Sequence, residues 1–161
     1  MENNYICCFT GHRELPQKHT RRIPSALKEI LLDQYSKGAR VFRAGGALGF
    51  DTLAALSVIA LRKKHPDVKL ELCLPCHDQT KKWSFYSRRT YDYILKHSDS
   101  VRYASEHYTS TCMHDRNRML VDGSRVCIAY YTGGGGGTAY TFNYAIRNGL
   151  EMINVFDILE Q

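Results

Sequence analysis

The chain has 161 residues, 43% hydrophobic and 24% charged, and no run approaches the roughly 20 apolar residues that a membrane span needs. That composition excludes wholesale disorder and predicts one globular domain over residues 1–161, large enough to fold without disulfides or a structural metal. A formal charge of +6 favours anionic partners, whether phosphates, nucleotides or nucleic acid, and nothing points to a membrane.

The start, Met1-Glu2-Asn3-Asn4, lacks the basic opening and apolar core of a secretion signal, so a cytoplasmic location with reduced thiols is expected. Residues 5–10 form a continuous apolar run, read as a buried strand, and Gly11-His12-Arg13 follows it. Ile23, Leu27, Ile30 and Leu31 mark one face of a helix that Gly38 ends. A second strand over residues 40–43 leads into Ala44-Gly45-Gly46-Ala47-Leu48-Gly49, and Asp51 or Thr52 caps the next helix, which reaches Lys64. Pro66 and Asp67 turn the chain into a third strand at residues 69–74, broken by Pro75. A helix rich in Tyr, Arg and Lys runs to about His97, and residues 100–104 predict a fourth strand. Residues 113–121 form a helix ending near Gly123, and residues 125–131 are the most β-like run in the chain. Gly133, Gly134, Gly135, Gly136 and Gly137 come next, then a helix from Thr138 through Arg147 and a last strand over residues 152–156.

Strands separated by helices pair in parallel through right-handed crossovers, and continuous apolar strands suit a sheet covered on both faces. The predicted fold class is therefore α/β: a three-layer sandwich with a Rossmann-like, mostly parallel sheet.

In such a sheet, ligands collect beyond the carboxyl ends of the strands. Three glycine-containing loops fall on that side: the one at Gly11, the one from Gly45 to Asp51, and the five-glycine run into Thr138. Glycine lets the main chain approach a ligand closely, and a following helix N-terminus presents free N–H groups that suit phosphate. Ordering five glycines costs about 1 kcal/mol or more of backbone entropy each, which a simple turn does not require. Neither G-x-x-x-x-G-K-[ST] nor a G-x-G-x-x-G after the first strand is present, which argues against P-loop hydrolysis and a nicotinamide dehydrogenase. Cys73-Leu74-Pro75-Cys76-His77 matches the haem-attachment pattern, but without export or a clear fourth zinc ligand no metal or haem is expected.

Taken together, Thr10-Gly11-His12-Arg13, Gly45-Gly46-Ala47-Leu48-Gly49-Phe50-Asp51, Pro75-Cys76 with Gln79 and Trp83, Arg116-Asn117-Arg118 and Gly136-Gly137-Thr138 resemble the YpsA-like branch of the SLOG superfamily. The resemblance covers nearly the whole chain. It implies a Rossmann-like domain related to Lonely-guy phosphoribohydrolases, to DNA-processing proteins that hold single-stranded DNA, and to sensors of nucleotide-derived ligands. It also implies self-association as a homo-oligomer, since SLOG relatives often dimerise.

The candidate ligand-binding residues are Gly11, His12, Arg13, Gly45, Gly46, Gly49, Asp51, Arg116, Asn117, Gly134, Gly135, Gly136, Gly137 and Thr138. Gly45, Gly46 and Gly49 are expected to turn backbone N–H groups toward a phosphate or ribose. Asp51 either accepts from ribose hydroxyls or caps its helix, and Arg116 offers a bidentate fork to phosphate. Asn117 either fixes the neighbouring backbone or reads a base edge. Trp83 and Tyr86 either stack on a base or join the core.

The Lonely-guy signature P-G-G-x-G-T-x-x-E ends in a glutamate whose place here is taken by Thr141, and a hydroxyl cannot do a carboxylate's proton work. The leading expectation is thus binding or sensing of a small phosphorylated ligand, a nucleotide or ADP-ribose-like molecule, with no catalytic residue assigned. Two alternatives stand beside it: an N-glycosidase acting on nucleotides through another carboxylate such as Glu14, Asp51 or Asp115, and single-stranded nucleic acid binding.

Overall fold

The computed structural model describes residues 4–161; residues 1–3, part of the start read above for a secretion signal, lie outside the described residues. The strands are β1 (Tyr5–Gly11), β2 (Ala39–Ala44), β3 (Lys69–Leu74), β4 (Ser100–Tyr103), β5 (Val126–Tyr130) and β6 (Glu151–Asn154). Between them run α1 (Gln17–Thr20), α2 (Ile23–Ser36), α3 (Phe50–Lys64), α4 (Phe85–His97), α5 (Cys112–Val121) and α6 (Gly137–Arg147), and α7 (Val155–Leu159) follows β6. None of these helices is long and apolar enough to cross a membrane.

All neighbouring strands pair in parallel, in the order β4-β3-β2-β1-β5-β6. The chain steps outward from β1 to β4, then returns to the other side of β1 for β5. Strand order therefore reverses between β1 and β5, and a crevice opens beyond their carboxyl ends. In that pair Gly11 stands opposite Tyr130, so the two following loops leave the sheet side by side.

The alternation of side chains along each strand builds the two covered faces. Cys7 and Phe9 of β1 join the larger core, with Leu27 and Leu31 of α2, Ala54 and Val58 of α3, Ile94 of α4 and Leu159 of α7. Cys8 points the other way, into a smaller core with Cys73, Cys127, Leu120 of α5 and Ala145 of α6. Phe9 anchors the larger core, stacked on Phe42 at 6.2 Å and edge-on to Phe50 at 6.4 Å. Burying a phenylalanine of this kind contributes about 1.5–3 kcal/mol. All six cysteines are free and buried.

The end of β6 and the one-turn α1 depart from the sequence expectation. The last strand stops at Asn154, because the Asn154 side chain caps a helix there, its Oδ1 accepting from the Phe156 N–H at 3.2 Å. The same oxygen accepts from the Tyr131 N–H, tying the end of β6 to the loop after β5. The one-turn α1 follows Pro16, whose carbonyl accepts from the Thr20 hydroxyl at 3.0 Å.

Candidate functional site

The first two glycine loops are built against each other. A Cβ on Gly11 would lie 2.4 Å from the Phe50 ring, and one on Gly49, at φ +78°, would lie 2.2 Å from the Arg13 carbonyl oxygen. The Phe50 N–H donates to the His12 carbonyl at 3.1 Å, so α3 starts directly on the first loop's backbone. Gly49 is itself the residue ahead of the helix, in the place the sequence suggests for Asp51 or Thr52.

Beneath this junction lies a buried charged layer. Gly45 has no room for a side chain, since its Cβ would come within 2.9 Å of both Arg116 Nη1 and Asp51 Oδ2. Arg116, only 4% exposed, donates through Nη1 to the Gly45 carbonyl and through Nε to Asn117 Oδ1 at 2.8 Å. Its fork therefore braces the second loop onto α5. Gly46, at φ +72°, is closed in by Leu74. Gly45 and Gly46 are buried, while Gly49 is half-buried.

Asp51 Oδ2 accepts from the Ala47 N–H at 3.3 Å, while Oδ1 is buried with no hydrogen-bond partner. Burial pushes the Asp51 carboxyl up from 3.8 to about 6, against the pull of the Arg116 guanidinium. Burial likewise lowers the pKa of Arg116, and the Asp51 charge works to restore it. Asp51 is thus a carboxyl that exchanges its proton close to neutrality.

At the reversal of strand order, the loops after β1 and β5 are latched by His12. The Thr132 N–H donates to His12 Nε2 at 3.1 Å, which requires that nitrogen to be unprotonated. Partial burial lowers the His12 pKa in the same sense. The His12 N–H also donates to the Tyr130 carbonyl at 3.3 Å. Around this latch is a cleft of about 550 Å³, lined by His12, Arg13, Glu14, Leu15, Pro16, Tyr130 and Thr132. Its floor residue, Tyr130, is fixed from behind by the buried His19, with Nδ1 2.5 Å from the phenol oxygen.

The glycine run behaves differently from the first two loops. Cβ positions on Gly133, Gly134, Gly135 and Gly136 would meet nothing within 4 Å, and three of these residues hold φ values of +90° to +101°. The loop is exposed, with the Gly134 carbonyl held by the Tyr131 hydroxyl at 2.6 Å. It enters α6 through Gly136, which offers no side-chain cap to the first amides of that helix. Asn117 Nδ2 lies 3.9 Å from the Cβ position of Gly137, so Asn117 joins the Arg116 layer to the base of α6. Thr138 is half-buried in the first turn of α6. Thr141 is fully buried and its hydroxyl donates to the Gly137 carbonyl at 3.1 Å.

The fold therefore brings His12 and Arg13 to one cleft whose lining on the β5 side ends at Thr132, the residue before the glycine run, and packs Gly45, Gly46, Asp51, Arg116 and Asn117 together as a buried support. Leu15, Pro16, Tyr130 and Thr132 also line the crevice without standing out in the sequence; their only signal is position just after β1 and at the end of β5. Tyr86 is exposed, whereas Trp83 packs partly against the core, edge-on to Tyr91. In the C-x-x-C-H segment, Cys76 is buried, burial pushes its thiol up to about 11, and the His77 ring stacks on Tyr103 at 3.6 Å. No group of three or more His, Cys, Asp and Glu side chains suited to a metal is found among the described residues.

Residues 7–154 match the YspA SLOG family (YpsA). The uncharacterized SPbeta prophage-derived protein YoqJ of Bacillus subtilis (strain 168) is 32% identical over 116 residues, covering 65% of this chain and 68% of YoqJ. A UPF0398 protein of Halalkalibacterium halodurans is 33% identical over 79 residues, 49% of this chain and 42% of that relative. The matches to the UPF0398 relatives thus span less than half of their length. Among solved structures, DNA processing protein A from Streptococcus pneumoniae superposes with a TM-score of 0.67 at 18% identity, over 92% of this chain and 49% of that one. DNA processing protein A from Helicobacter pylori, studied for its single-stranded DNA binding mode, gives 0.66 at 18% identity, over 92% and 63%. At that identity the likeness is one of fold.

Proposed function

The chain belongs to the YspA SLOG family, and from that premise we propose that it binds or senses a nucleotide or nucleotide-derived ligand in the crevice between the loops after β1 and β5. The observation that carries this reading is the bare loop of residues 133–136, with open space at every Cβ position and an uncapped helix behind it. Exposed amides at a helix N-terminus attract phosphate through hydrogen bonding and the helix dipole. The exposed Arg13, which lines the cleft beside Thr132, supplies the positive charge in this reading, in place of the buried Arg116. Asp51 and Arg116 hold the geometry from below, and the ligand's phosphate meets the glycine run. Because Thr141 is turned into its own helix, this reading assigns no glycosidic cleavage to that position.

A second reading is single-stranded nucleic acid, the ligand named for the Helicobacter pylori neighbour. The +6 charge and the exposed rings of Phe85 and Tyr86 favour it.

The test is a thermal-shift and calorimetric panel of AMP, ADP-ribose and NAD on the wild type, Arg13→Ala and Gly135→Val. Gly135 has no left-handed φ and open space around it, so valine covers the loop without disturbing the core. A ligand at a hundredfold excess over its Kd should stabilise the wild type by about 2.7 kcal/mol, and both variants should lose most of that gain. A panel that leaves the wild type unmoved overturns the reading.

A further inference from the structure

A second cleft, of about 310 Å³, shares Leu15 with the first and runs between Gly49 and Thr52 on one side and Tyr86 and Thr90 of α4 on the other. Ser84 caps α4 by accepting from the Ser87 N–H at 3.2 Å, which sets Phe85 and Tyr86 in the first turn. The buried side of α4 is formed by Tyr91 and Ile94, so the two leading rings project away from the core. Phe85 is 68% exposed and Tyr86 82%. One stripe further along the same helix, the exposed Tyr93 carries His97 against it at 4.2 Å. At 1.5 Å per residue, Tyr86 and Tyr93 are spaced by roughly 10 Å along the helix axis.

The rings sit among positive charge. Lys81, Lys82, Arg88 and Arg89 are all exposed, Arg89 lies 5.6 Å over the Phe85 ring, and Asp92 is the one acid of α4. Flat aromatic faces alternating with cations suit a strand that itself alternates base and phosphate. A duplex hides its base faces and gains nothing from the rings, and an apolar protein partner gains nothing from the four cations around them.

We propose that the two clefts form one track for single-stranded nucleic acid, with a terminal phosphate at the glycine run and the following bases stacked on Tyr86 and Phe85. This rests on the crevice reading above and extends it by making the preferred ligand an oligonucleotide. Phosphates along the track meet Arg13 first and then Arg88 and Arg89.

The experiment is fluorescence anisotropy with labelled oligo(dT) of two, six and twelve nucleotides and a twelve-base-pair duplex, with dTMP binding measured by calorimetry. The six-mer should bind more tightly than dTMP and the single strand more tightly than the duplex, with affinity falling steeply as salt rises. Tyr86→Ala should weaken the six-mer on the order of 5- to 150-fold, leave dTMP unaffected, and be rescued by Tyr86→Phe. Tyr86 is exposed, so its loss leaves folding intact. If dTMP binds but length and Tyr86 make no difference, this inference is overturned while the crevice reading stands. If neither dTMP nor any oligonucleotide binds, both fall. Duplex binding as tight as single-strand binding reduces the surface to a general polyanion patch and also overturns the inference.

Discussion

Replacing Asp51 with asparagine tests the buried charge layer through its pH dependence. The folded carboxyl holds its proton up to about pH 6, whereas an unperturbed one releases it near 3.8. A gap of that size corresponds to about 3 kcal/mol at 1.36 kcal/mol per pH unit. The stability that the protonated group contributes is complete below pH 3.8 and is lost as the pH rises through 6. Arg116 is already included in that balance, since its attraction is what keeps the value from rising further. The asparagine amide cannot ionise, so Asp51→Asn should be more stable than the wild type at pH 7.5 by about 1–3 kcal/mol. The difference should close as both proteins are taken to pH 3.5. Urea denaturation at the two pH values, followed by fluorescence of the single tryptophan, Trp83, gives the comparison directly. A gap that does not change with pH, or a variant less stable at pH 7.5, refutes the reasoning.

Gly49→Ala forces a Cβ onto the Arg13 carbonyl at a left-handed φ, and should cost about 2–5 kcal/mol in urea denaturation; a loss under about 1 kcal/mol would show that the first two loops are not interlocked. His12 should titrate below the ordinary 6.5 when followed by NMR, with the Thr132 amide shifting in the same transition. Because its folded pKa is lowered, His12 costs stability as the pH falls from 6.5 toward that lower value, and a normal titration with a silent Thr132 contradicts the latch. Thr141→Val removes one hydroxyl bond inside α6, so calorimetry should find ligand affinity unchanged and denaturation a loss of about 1 kcal/mol; a large fall in affinity would place Thr141 at the ligand.

The layered fold is legible in the sequence because each strand is a continuous apolar run and each helix ends near a glycine, a proline or a cap. The small exceptions have local causes: Asn154 ends β6 with its own side chain, and α1 is too short to show a helical period. Glycine is where sequence reasoning reaches its limit. The same missing Cβ lets the main chain approach a ligand or another part of the protein, and only coordinates separate the two. Gly11, Gly45, Gly46 and Gly49 are filled in by Phe50, Arg116, Asp51, Leu74 and the backbone of Arg13, whereas residues 133–136 face open space. Arg116 illustrates the related ambiguity for charge. Its sequence context resembles a phosphate fork, yet its burial and its bond to the Gly45 carbonyl make it a brace.

Amide chemical-shift mapping with ADP-ribose is the most direct test of the crevice. The account predicts that the amides of His12, Arg13, Thr132 and the glycine run shift together on titration, while those along the apolar hollow of about 670 Å³ between α2 and α3 stay in place. Shifts confined to that hollow, with the glycine amides unmoved at saturation, would contradict it.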